Sequence, residues 1–137
     1  MSDVVATNAE ILVALRTFET VGQKDIPNIK ANYALTKARR KATEASRDLE
    51  VLRIQLCEKH SAKNEDGTAK KTTVQNDRGE DVEGYDLADK AAFQAEYNAL
   101  LAVSVTLEGT RAVTIEELSG TTLTGDELAG LGPLVIE

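Results

Sequence analysis

Tryptophan is absent from the 137-residue chain, cysteine, histidine and methionine occur once each, and the aromatics are limited to three tyrosines and two phenylalanines. Each scarcity excludes something. A single cysteine cannot close an intramolecular disulfide and suits a reducing compartment. A nucleophile–base pair built from Cys and His would have to be Cys57 with His60, and no third residue in sequence reach orients them. No run approaches the roughly 18 apolar residues of a membrane-spanning helix, and no basic, apolar leader opens the chain, so neither membrane spanning nor secretion is expected. Few aromatics among 42% hydrophobic residues predict an aliphatic, alanine-rich core. The length suits a single domain over residues 1–137.

What the chain does have is one long helical pattern. No Gly or Pro interrupts residues 28 to 63, and Ala, Arg, Lys, Leu and Glu fill most positions. Leu35, Ala38, Ala42, Ala45, Leu49, Leu52 and Leu56 alternate spacings of three and four, the seam of helices packed side by side. Pro27 suits the first position of a helix, and Lys59 and His60 suit its carbonyl end, so a central helix over about 27–60 is predicted. At 1.5 Å per residue this is a rod of roughly 50 Å.

Shorter elements flank it. Thr7 and Glu10 stand at capping-box spacing before a helix over about 8–20, with Ile11, Leu12, Leu15 and Phe18 on one side. A second flanking helix is expected over about 87–103, capped by Asp86, and both are expected to run antiparallel to the rod. Between them, residues 61–85 form a polar insertion in which Asp66-Gly67 and Arg78-Gly79 bracket a β-prone run, read as a small hairpin excursion or a loop. From residue 104 the period changes: Val103, Val105 and Leu107, then Val113 and Ile115, suggest a hairpin or two extended segments. Thr124 and Glu127 cap a further short helix before Pro133, and the apolar tail Leu134-Val135-Ile136 is expected to tuck into a groove of its own subunit or a neighbour. The expected class is mainly α, in the α+β sense.

The net charge of −7 conceals a segregation. Residues 27–63 carry nine basic and four acidic side chains, whereas residues 64–137 carry five basic and fifteen acidic ones. Attraction between these segments, within one molecule or between copies, is the simplest outcome. The basic residues Lys37, Arg39, Arg40, Lys41 and Arg47 are the candidate contacts for a partner or a small anion. Nucleic acid is not an expected partner, since the chain as a whole repels phosphate and this face has no interleaved aromatics for base stacking.

Motifs for catalysis and cofactors are missing. Gly120-Thr-Thr-Leu-Thr-Gly125 has the glycine spacing of a phosphate-binding loop, but Asp126 and Glu127 occupy the positions that need Lys and Ser or Thr. Calcium loops centred on Gly67 or Gly79 would begin at Ala62 or Val74, neither of which offers a side-chain oxygen. Cys57 and His60 share a helical face, yet two ligands do not make a metal site. Asp77, Glu80, Asp81, Glu83, Asp86 and Asp89 read as solvated surface rather than as an acid–base pair. No cofactor, metal or catalytic residue is therefore assigned, and a non-enzymatic protein is expected.

The long charged helix, the Asp66-Gly67 turn, the stretch Asp89–Leu101 with Phe93 and Tyr97, and the closing pattern Val113–Leu128 together resemble a group of small tailed-bacteriophage proteins of unknown function, over roughly residues 45–137. The resemblance implies a phage origin and action in the bacterial host cytoplasm or in the virion, and it brings no catalytic residues. Three functions follow as expectations. The first is a protein–protein interaction module acting on a host, defence or phage protein through the helical face or the 61–85 excursion, with homo-oligomers expected. The second is a virion structural or assembly component. The third is an oligomeric binder, or sponge, of a small anionic or nucleotide ligand.

Overall fold

The Thr7 hydroxyl accepts from the Glu10 N–H at 3.1 Å while the Glu10 carboxylate accepts from the Thr7 N–H at 2.9 Å. This reciprocal cap starts helix α1 (Asn8–Val21), preceded by strand β1 (Val4–Thr7). In the computed structural model, which describes residues 3–137, the long pattern forms helix α2 (Ile29–His60). It begins two residues after Pro27, because Asn28 is the cap: its Oδ1 accepts from the Ala31 N–H at 3.0 Å. Strands β2 (Lys71–Gln75) and β3 (Asp81–Tyr85), helix α3 (Lys90–Leu101), strands β4 (Ser104–Leu107) and β5 (Val113–Thr114), helix α4 (Gly125–Leu131) and strand β6 (Val135–Ile136) complete the order. The protein is mainly α, with strands only in small pairs.

The chain falls into two compact units whose boundary lies within α2: the residues up to Leu49 with Leu101–Glu137, and Glu50–Leu100. In the first unit, Ile11, Phe18 and Val21 of α1 share a core with Ala31, Leu35, Ala38 and Ala42 of α2 and with Val113, Leu131 and Leu134. The C-terminal strands do not form a hairpin with each other. β4 pairs antiparallel with β1, Val4 opposite Leu107, and β5 pairs in parallel with β6, Val113 opposite Val135. Each pairing lets an alternating strand turn its apolar side to the core, where Val4, Ala6, Leu107 and Val113 are buried. The apolar tail is thus taken up within the chain, with Leu134 buried and Val135 in a ladder.

The seam of α2 needs one correction. Leu35, Ala38, Ala42 and Leu49 are buried and Ala45 and Leu56 half-buried, but Leu52 is 42% exposed and Cys57 is buried in its place. A straight α-helix turns 3.6 residues per turn, so a 3.5-residue seam drifts by about 20° per heptad. From Leu49 the buried stripe accordingly advances by fours, through the half-buried Arg53 to Cys57.

Helix α4 is held against α1 by Glu127. As the partner in the Thr124 capping box, its carboxylate accepts from the Thr124 N–H at 3.0 Å. The same carboxylate accepts from Lys24 Nζ at 2.6 Å and from the Thr20 hydroxyl at 3.0 Å. The Lys24 ammonium, aided by the Thr124 N–H, holds the carboxyl at about 2, and the Arg111 guanidinium, with the Thr114 N–H, does the same for Glu117. Both groups sit below their ordinary 4.5, so the stability they contribute is complete above that value and is lost as pH falls from 4.5 toward 2. Urea midpoints measured from about pH 6 down to about pH 2 are expected to drop across that window, with a shallower slope in Glu127→Gln.

Gly130 allows α4 to lie close on α1: a Cβ there would come within 2.0 Å of Thr17 Oγ1 and 3.1 Å of its Cβ and Cγ2. Rotating Thr17 only exchanges hydroxyl for methyl and loses its bond to the Val13 carbonyl at 2.9 Å. Gly130→Ala is expected to cost about 1–3 kcal/mol by urea unfolding, part of it recovered when Thr17→Ala is added.

Candidate functional site

The second unit is built from the last turns of α2, the β2–β3 hairpin and α3. At the hairpin tip, Asn76 Oδ1 accepts from the Arg78 and Glu80 N–H groups at 2.9 and 3.0 Å, and Gly79 takes φ +75°. The resulting register sets Val74 directly opposite Val82. Gly84 leaves room for the Val74 side chain, since a Cβ at Gly84 would fall 2.5 Å from Val74 Cγ2. The ladder continues past the strands: Asp86 N–H donates to the Lys70 carbonyl at 2.9 Å, and Ala62 N–H donates to the Asp86 carbonyl at 2.8 Å. These extended bonds delay the next helix, so the cap of α3 is Asp89 and not Asp86: Asp89 Oδ1 accepts from the Ala92 N–H at 3.0 Å. Glu96 of α3 then bonds both Lys59 Nζ at 2.8 Å and His60 Nε2 at 2.9 Å, which holds its carboxyl below the usual range, Lys59 contributing most.

These elements enclose a groove of about 710 Å³. Val74 and Val82 line it from the hairpin, Phe93 and Tyr97 from α3, and Cys57 and Arg53 from α2. The Phe93 and Tyr97 rings stack with centroids 5.7 Å apart and planes inclined by 12°. Both are half-buried, and no residue of α3 is buried; in Glu50–Leu100 only Cys57 and Ser61 are. The groove lining is largely apolar, with Asp77 at the hairpin tip, while the Glu83 carboxylate lies on the opposite face of the hairpin beside Lys71 at 3.4 Å. Residues 64–100 carry nine acidic and four basic side chains.

Arg53 crosses the α2 side of the groove. Its guanidinium donates to Glu50 at 2.5 and 2.8 Å and approaches Cys57 Sγ at 3.6 Å. The hydrogen bond from Arg53 pulls the Glu50 carboxyl down, while burial pushes the Cys57 thiol up despite the guanidinium beside it. The thiol is therefore protonated at neutral pH and is not poised as a nucleophile. His60 turns to Glu96 rather than to Cys57, and among the described residues no three His, Cys, Asp or Glu side chains converge as metal ligands do.

The five basic residues singled out in the sequence all lie on the part of α2 in the first unit, and they do not form one cradle. Arg39 sits over the Phe18 ring at 5.7 Å, Lys41 pairs with Glu44 at 3.7 Å, Lys37 lies beside Gly109, and Arg40 and Arg47 are exposed. The Gly120–Gly125 segment ends in the α4 cap, with Asp126 and Glu127 in the first helical turn. The groove takes one wall from the 61–85 excursion, one of the two contact places the sequence offers, while its other wall was marked only by Phe93 and Tyr97 in the helical pattern. No protein-family model, no curated protein and no solved structure matches the chain. Among the described residues no helix is long and apolar enough to cross a membrane.

Proposed function

We propose that this chain is a non-enzymatic interaction module of a tailed bacteriophage, which binds a host, defence or phage protein in the groove of the second unit. The observation that carries the reading is the half-exposed Phe93–Tyr97 stack lining one groove with the Val74–Val82 pair, in a unit with almost no buried core. Aromatic anchors in a partly desolvated pocket dominate the energetics of protein interfaces. The acidic surplus of residues 64–100 favours a partner segment with an apolar anchor flanked by Lys or Arg. Each hairpin strand also has a ladder partner on one side only, so backbone groups are available to an extended peptide.

Self-association belongs to the same reading, since Val51 is 55% exposed and Leu52 beside it is also in water. The virion alternative loses support from the tail, which is occupied within the chain. The test is co-purification from infected cells with the wild-type chain and with Val82→Lys, followed by reconstitution with the purified partner. One partner recovered by wild type and lost by the variant is the expected result. Equal recovery by both, or none together with a monomeric mass by light scattering, overturns the proposal.

A further inference from the structure

The first unit holds a separate cleft of about 630 Å³ between the first turns of α2 and the Gly109–Arg111 turn. On its helical wall Ile29 is 80% and Tyr33 70% exposed, the two most exposed large hydrophobic residues among those described. Lys30 and Lys37 also line it, three residues before and four after Tyr33, so one helical face presents an aromatic ring between two ammonium groups. Lys37 extends across Gly109, where its Nζ comes within 3.0 Å of the position a Cβ would take, and the turn's φ of +74° suits glycine.

The charges of the cleft are unevenly used. Arg111 is occupied by Glu117, at 2.9 and 2.8 Å. Asp3, the carboxylate among the lining residues, accepts from the Gly109 N–H at 3.1 Å. Lys30 and Lys37 make no ion pair among the described residues, and no acidic side chain stands in the first turn of α2, the positive end of the helix. An exposed ring flanked by two free cations, in a cleft of the volume that takes small ligands, fits a planar molecule carrying an anionic group.

We propose that the Tyr33 cleft binds a nucleoside phosphate, its base against the Tyr33 ring and its phosphate between Lys30 and Lys37. This site is independent of the groove in the second unit and uses one of the five sequence candidates, Lys37. The probes are AMP and ATP, with adenosine and inorganic phosphate as controls, read by calorimetry and by saturation-transfer NMR on the full chain. AMP is expected to bind about tenfold or more tightly than either control, since ring and anion contribute together. Lys30→Ala and Tyr33→Ala, at exposed positions, are each expected to weaken AMP about tenfold with the melting temperature unchanged, and Lys37→Ala, at a half-buried position, to weaken it as much. Three results overturn the proposal: no binding of AMP or ATP at millimolar concentration, AMP affinity indifferent to Tyr33→Ala or to the lysine variants, or inorganic phosphate binding as tightly as AMP.

Discussion

Leu49→Asp is expected to destabilise the protein by about 3 kcal/mol or more, while Leu52→Asp, three residues along the same helix, stays within about 0.5 kcal/mol of wild type. The difference follows from burial: Leu49 is 4% exposed and Leu52 42%. A carboxylate at position 49 loses its water without gaining a partner, and the chain must protonate it or open around it. At position 52 the carboxylate keeps its water. Urea unfolding of both variants measures the drift of the buried stripe away from the 3.5-residue repeat. Equal penalties would mean that α2 retains the heptad seam through Leu52.

Val82→Lys is expected to weaken the proposed partner about thirtyfold or more, as loss of an interface hot spot does. Val82 is 38% exposed, so a lysine there can reach water without unfolding the hairpin. It removes one of the two cross-strand valines lining the groove and sets a positive charge beside the basic flank of the partner. Most of the loss should appear in the dissociation rate, because the apolar anchor no longer seats. A parallel Val82→Glu variant separates the two effects: if charge dominates, glutamate restores part of the affinity, and if shape dominates, both weaken it equally.

Local chemistry was legible in the sequence, and long-range pairing was not. The Thr7–Glu10 and Thr124–Glu127 boxes mark the starts of α1 and α4 because a cap is written within four residues. The hairpin was half readable: Asp66-Gly67 and Arg78-Gly79 bracket the β-prone run of β2 and leave hairpin or loop open, while the acidic, glycine-containing β3 carries no such mark. The partners of β1 and β5 were not, since nothing near Val4 specifies Leu107 and nothing near Val113 specifies Val135. The candidate site was harder still. The basic residues drew attention through charge, yet Arg39 serves Phe18 and Lys41 serves Glu44, whereas the exposed Tyr33 between Lys30 and Lys37 becomes a site only when the Gly109 turn closes the other wall. Glu127 shows the same limit: its capping role is local and readable, while its bonds to Lys24 and Thr20 arrive from more than a hundred residues away.

The pairing of β1 with β4 has a further consequence for how the chain matures. It joins residues about a hundred positions apart, and the first unit is completed only by β6 and Leu134 at the far end. Contacts of such separation are slow to form, because loop-closure entropy is lost before they reward it. The Glu50–Leu100 unit has no such dependence, as its strands adjoin in sequence. During synthesis α1 therefore has only part of its apolar face matched, by the first half of α2, until the segment from β4 to β6 follows, while the inserted unit can already be folded. Ribosome-bound chains stalled before residue 104 should accordingly expose α1 to proteolysis and to chaperones, and emergence of the residues from β4 to β6 is the event that protects it.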